Sequence, residues 1–172
     1  MKPIRVLVAF TLALGLSAVA VADEMKMPEM KPSPAFDQLK TLVGSWEGQT
    51  PDGKTTTVSY QVVSAGTCVM ETLHSPDGAD MITMYHMDGG RVVMDHYCAI
   101  NNVPHMKCTA SADGRKLDFA FAGATNMASP KDTHMHGLKL SFEDADHFTQ
   151  EWSLHDQGKV QPVVFHFQRV KS

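Results

Sequence analysis

From Val43 to the C-terminus, apolar and polar residues alternate with a period of two, the spacing at which a β-strand turns one face to a core. Runs of this kind cover Gly44–Gln49, Thr55–Val63, Thr67–Leu73, Met81–Met87, Arg91–Ala99, His105–Ala110, Lys116–Ala122, Thr133–Phe142, His147–Leu154 and Gln161–Val170. Turn signals stand between them: Pro51-Asp52-Gly53, Ser64-Ala65-Gly66, Pro76-Asp77-Gly78, Asp88-Gly89-Gly90, Asp113-Gly114 and Asp156-Gln157-Gly158. Short runs at this spacing, joined by tight turns, predict an all-β fold. With no later helical pattern, the prediction is an antiparallel up-and-down β-barrel of about 8–10 strands, because closure removes the exposed edges of an open sheet. The longest connection falls at Gly123–Asp132 and reads as an ordinary loop.

The chain before Val43 follows other rules. Ser33 followed by Pro34 is the start signal of a helix, and Phe36, Leu39 and Leu42 recur at helical spacing. A short helix closing one end of the barrel is expected there. Asp23–Pro34 is polar and rich in Met and Pro, and reads as a flexible leader. Residues 1–22 have a basic start at Lys2 and Arg5, an apolar run from Val6 to Val21, and a small-x-small site at Ala20-Val21-Ala22. That is the layout of a signal peptide cleaved near Ala22, which places the protein in the periplasm or outside the cell. The expected organisation is therefore 1–22 signal peptide, 23–34 leader and 35–172 one barrel domain.

The start of the barrel carries a resemblance. Gly44-Ser45-Trp46, behind a short helix, resembles the lipocalin-like (calycin-type) barrels, and implies that Trp46 closes the narrow end. The longer form Gly44-x-Trp46-x-Gly48 also resembles the nitrobindin-type haem barrels. This chain has Thr50 where their pattern has a further glycine, and it lacks the late-strand motif that carries their haem-ligating histidine. Tyr85-His86-Met87-Asp88-Gly89, His96-Tyr97-Cys98 and Asn102-Val103-Pro104 resemble a third group, small secreted bacterial lipocalin-like proteins of unknown function. That resemblance spans most of the chain after the signal peptide and implies no activity.

Candidate chemistry concentrates in the hairpin 81–98. If Asp88-Gly89-Gly90 forms a three-residue loop, Met87 faces Arg91. Ile82, Met84, His86, Val92, Met94, His96 and Cys98 then share the more apolar face, which should point inward. A two-residue loop shifts the pairing by one and sends the two histidines to opposite faces. Inward histidines have three readings: a hydrogen-bonded structural side chain, a polar contact for an apolar ligand, or a ligand to metal or haem.

Charge narrows the partners. Removing the first 22 residues moves the net charge from −4 to about −6. An acidic chain without a basic stripe argues against nucleic acid and anionic lipid surfaces, and no segment beyond the signal peptide has the length and apolarity of a membrane span. Of three cysteines, Cys98 and Cys108 flank a short loop and are a candidate disulfide, which leaves Cys68 as a buried thiol. His134 and His136 lie two residues apart, on one side of a strand, and form a weak metal candidate that needs a third group such as His105, His147 or Glu143. Met25, Met27 and Met30 supply soft thioethers in the leader, which suit copper(I); their plainer reading is an unstructured tail. No nucleophile elbow, phosphate loop or His-Glu-x-x-His is present.

The leading expectation is thus a secreted or periplasmic barrel that binds a small, largely apolar molecule. Trp46, Met84, His86, Met94 and His96 are its expected contacts. The alternatives are a haem- or metal-binding barrel using histidine, and a catalytic barrel acting on a small lipid-like substrate.

Overall fold

A computed structural model describes residues 33–50, 52–76, 78–111 and 113–171. The stretch expected to be a signal peptide and the methionines at 25, 27 and 30 lie outside the described residues. Among the described residues one short helix, α1 (Pro34–Lys40), precedes ten strands: β1 (Gly44–Gln49), β2 (Thr55–Val63), β3 (Cys68–His74), β4 (Met81–Asp88), β5 (Arg91–Tyr97), β6 (Val103–Ala110), β7 (Lys116–Thr125), β8 (His134–Phe142), β9 (His147–Asp156) and β10 (Lys159–Arg169). Each strand pairs antiparallel with its sequence neighbours, and β1 pairs with β10 to close the barrel. All-β, up-and-down and closed, the fold is the one that the alternation predicts.

The strand ends differ from the sequence pattern where turn chemistry intervenes. β5 stops at Tyr97, because Cys98 to Asn102 make a turn with Asn101 at φ 68° and the Asn101 amide on the Cys98 carbonyl. β7 runs on to Thr125, three residues into the stretch read as a loop, and stays paired with β6. Ser33 caps α1 as expected, its Oγ accepting from the Phe36 amide at 3.3 Å.

α1 lies over one end of the barrel. Phe36 and Leu39 from its inner face, with Leu42 just beyond it, join the core that fills the barrel. Trp46 sits beneath, donating its indole N–H to the Leu42 carbonyl at 2.7 Å and meeting the Phe148 ring edge-on at 4.7 Å. Arg169 from β10 stands over the indole, 4.0 Å from the ring centre. Its guanidinium donates to the carbonyls of Val43, Thr41 and Ala145.

This junction explains both glycines around Trp46. Gly44 has φ +122°, and a Cβ there would stand 3.2 Å from Arg169 Nη1. At Gly48 a Cβ would stand 2.6 Å from the His166 carbonyl oxygen and 2.8 Å from Cδ1 of Phe167. The bare backbone at 48 lets β10 and its aromatic side chains close against β1.

Candidate functional site

Inside the barrel, four polar side chains stand in one row across four adjacent strands. The register pairs Tyr60 with Glu71, Glu71 with Thr83, and Thr83 with His96. All four are buried; Glu71 is 0% and His96 1% exposed. β9 completes the row from the facing wall. Gln150 donates to the Tyr60 hydroxyl at 2.7 Å, the Trp152 indole donates to Gln150 Oε1 at 3.1 Å, and the Trp152 ring lies 4.5 Å from that of His96. Tyr60, Glu71, Thr83, His96, Trp152 and Gln150 thus form a polar belt in a mainly apolar interior. Tyr85, two residues along β4 from Thr83, adds a hydroxyl that donates to Glu71 Oε2 at 2.6 Å.

Burial sets the charge states in the belt. Desolvation holds the Glu71 carboxyl above the usual carboxylate range, against the opposing pull of the Tyr85 hydrogen bond and of the neighbouring Gln150 and Tyr60 donors. The Tyr85 and Tyr60 phenols are pushed well above their ordinary value by burial and by the neighbouring Glu71, so they remain donors. Burial lowers His96 to about 4, which makes it a neutral imidazole at pH 7. Its Nδ1 lies 2.9 Å from Thr83 Oγ1.

Two buried atoms in the belt have no hydrogen-bond partner among the described residues: Glu71 Oε1 and His96 Nε2. Unpaired buried polar atoms carry a desolvation penalty of roughly 1–3 kcal/mol each and call for a partner. One carboxyl oxygen and one imidazole nitrogen of the belt are thus left without a partner.

The hairpin that the sequence singles out is built differently from the expectation. Asp88 pairs with Arg91, so the loop is the two residues Gly89 and Gly90. The inner face of β4 and β5 is Thr83, Tyr85, Val92, Met94 and His96. His96 and Met94 point inward as expected, but His86 and Met84 do not share their face. The physical reason is the period of two: one residue fewer in the loop turns every β4 side chain over. His86 instead lies on the outer face, where its Nε2 is 3.8 Å from Asp95 Oδ2, and Asp95 also meets Nδ1 of His105. Trp46 meets Phe148, whose ring in turn is 5.9 Å from that of Tyr60.

The cysteine expectation is also corrected. All three cysteines are free thiols. The register that pairs Val93 with Lys107 brings Cys108 beside Val92, whereas Cys98 lies six residues further along and bonds to Asn102. Roughly 20 Å of strand separates them, at about 3.4 Å per residue, far beyond the reach of a disulfide.

His134 and His136 do come together, with Nε2 of the first 2.9 Å from Nδ1 of the second. The third group is His155, across the strand pair from His134, and not His105, His147 or Glu143. Sequence reasoning missed His155, Arg169 and most of the belt. A signal for the belt was present: Glu71 falls between Val69 and Leu73, and Gln150 between Phe148 and Trp152, at the spacing of an inward face. A polar residue in the apolar phase of a strand marks a buried polar group.

No protein family matches the chain, and no curated protein does. Among solved structures it is similar to Rv2717c from M. tuberculosis, with a TM-score of 0.57 and 16% identity over 82% of this chain and 100% of that one. At that identity the likeness is one of fold.

Proposed function

We propose that the protein is a secreted or periplasmic, lipocalin-like carrier that takes a small, largely apolar molecule into the barrel, with the molecule's polar group held by the belt. The observation that carries this reading is the pair of unpartnered buried atoms, Glu71 Oε1 and His96 Nε2, on one inner row. Apolar walls with a few placed polar groups are the ordinary make-up of a small-molecule site. Met94 and Met106 belong to the buried core, and methionine adapts its shape to what lies against it. An anionic carboxylate ligand is disfavoured beside Glu71, so an alcohol or amide head group fits better: it donates to the Glu71 oxygen and pairs with the neutral imidazole.

A second reading follows from the same core. Trp46, Tyr60, Tyr85, Phe119, Phe148 and Trp152 are all fully buried within the barrel. In this reading the belt is a structural device that fixes strand register, and the function lies on the outer surface.

Native mass spectrometry of protein isolated from its own compartment, with an absorbance scan and a melting series in long-chain alcohols and amides, separates the two. The carrier reading expects a bound organic mass, or a rise in melting temperature that is lost in His96→Ala, since binding to the folded state alone stabilises it. A bare polypeptide mass with no thermal response to the series sinks it. A Soret band would replace it with haem binding.

A further inference from the structure

Away from the belt's unpaired atoms, three imidazoles gather where the barrel wall parts. The β7–β8 ladder ends at Ala120–Gly137, although both strands continue past it. Beyond that point lie Phe121, His134 and His136, with His155 from β9. The ring centres of His134 and His136 are 5.2 Å apart, those of His134 and His155 4.9 Å, and those of His136 and His155 5.8 Å. The Phe121 ring stacks on His136 at 4.9 Å and tilts against His134 at 4.6 Å, which fixes the pair from one side.

A β-bulge builds the trio. Met135 pairs with Leu154 and Gly137 with Ser153, so His136 is an extra residue without a partner on β9. Continued without the bulge, the Gly137–Ser153 register would set His134 opposite Asp156; the bulge makes His155 its direct cross-strand neighbour instead. Bulges commonly re-aim a side chain in this way.

The hydrogen bonds set the lone pairs. His134 Nδ1 lies 2.7 Å from the Asp132 carbonyl oxygen, and only an N–H pairs with a carbonyl. His134 Nε2 is then the bare nitrogen, and it faces His136. A backbone carbonyl that fixes the tautomer of a histidine is the usual outer support of a metal ligand. His155 Nδ1 is buried and has no partner among the described residues. None of the three rings forms an ion pair with a carboxylate among the described residues.

We propose that His134, His136 and His155 form a three-histidine site for a borderline divalent ion such as Zn²⁺ or Cu²⁺, with the fourth position open to solvent on the exposed His136 side. With metal–nitrogen distances of about 2.0–2.1 Å and tetrahedral angles, three imidazole centres stand about 5 Å apart, which is the spacing seen here. The described residues contain no three ligating groups already set around one point. Binding therefore replaces the His134–His136 hydrogen bond with two metal bonds and turns the His155 ring so that a nitrogen faces the ion. Soft copper(I) is not the expected ion, because the donors are all imidazole.

The test is titration of the purified chain with Co²⁺, a spectroscopic stand-in for Zn²⁺ that thioethers of the leader hold poorly. The site predicts one-to-one uptake, visible ligand-field bands, and displacement of Co²⁺ by Zn²⁺. His136→Ala leaves the fold intact because the side chain is exposed, and lowers affinity at least tenfold; His155→Ala does the same. His105→Ala, on the separate outer cluster with Asp95, changes nothing. Absence of saturable uptake overturns the site, as does uptake that survives both His136→Ala and His155→Ala or that falls with His105→Ala alone.

Discussion

Thr83 Oγ1 and His96 Nδ1 meet 2.9 Å apart in the barrel interior, and this hydrogen bond holds a histidine that stays neutral until the solution is strongly acid. Burial lowers His96 from 6.5 to about 4, so between those values the unfolded chain binds a proton that the folded chain refuses. The stability from His96 is full above pH 6.5 and is lost as pH falls toward 4, by up to about 1.4 kcal/mol per pH unit. Urea midpoints measured from pH 7.5 to 4.5 should fall more steeply for the wild type than for His96→Asn. Parallel profiles would show that His96 is not the group responsible.

Glu71 works in the opposite direction. Its folded value is raised, so its contribution to stability is present at low pH and is lost as pH rises through that value. Glu71→Gln keeps an acceptor for the Tyr85 hydroxyl and removes the buried charge. The variant should melt above the wild type at pH 8, and the gap should close toward pH 4. A variant that melts lower at every pH would mean that the carboxylate is better solvated than its burial implies.

The thiols can be counted directly. Cys68 and Cys108 are buried, and Cys108 is pushed up to about 12 by burial. Alkylation of the unreduced, denatured protein should label all three cysteines, whereas a brief native reaction should label Cys98 first. A chain two mass units lighter with one free thiol would mean that an unforeseen pair has formed.

Arg169 should matter more than an exposed arginine does. Its fork serves three carbonyls and the Trp46 face at once. Arg169→Met should destabilise by about 2–4 kcal/mol, because it removes the charge-assisted hydrogen bonds and the cation–π interaction together. Arg169→Lys should recover only a part, since an ammonium cannot span the same fork. Chemical denaturation followed by tryptophan fluorescence reads both variants; a loss within about 0.5 kcal/mol for Arg169→Met would show the guanidinium to be dispensable.

The strands were legible because alternation survives without knowledge of pairing. The helix start at Ser33-Pro34 was legible because a cap is a local device. The site was harder, because it depends on register. Asp88-Gly89-Gly90 reads equally well as two loop residues or three, and that single residue decides whether His86 stands inside beside His96 or outside beside Asp95. Glu71 and Gln150 could be found as polar residues in an apolar phase, but their belonging to one belt needs the pairing of four strands and the facing wall. His155 becomes the neighbour of His134 and His136 only through a bulge, and no spacing rule announces one.

The closure of β1 on β10 also orders events in time. Arg169 bonds to carbonyls 126 and 128 residues earlier in the chain, the longest separations among its side-chain hydrogen bonds. A bond across that span returns nothing until almost the whole chain is present, and its loop entropy must be met first. The meander from β2 to β9 can zip from hairpin to hairpin as it emerges, but it remains an open sheet with two bare edges. Trp46, Gly48 and Arg169 thus mark the step at which a growing ribbon becomes a barrel, and a chain cut short before Phe167 is left with the edges that closure exists to hide.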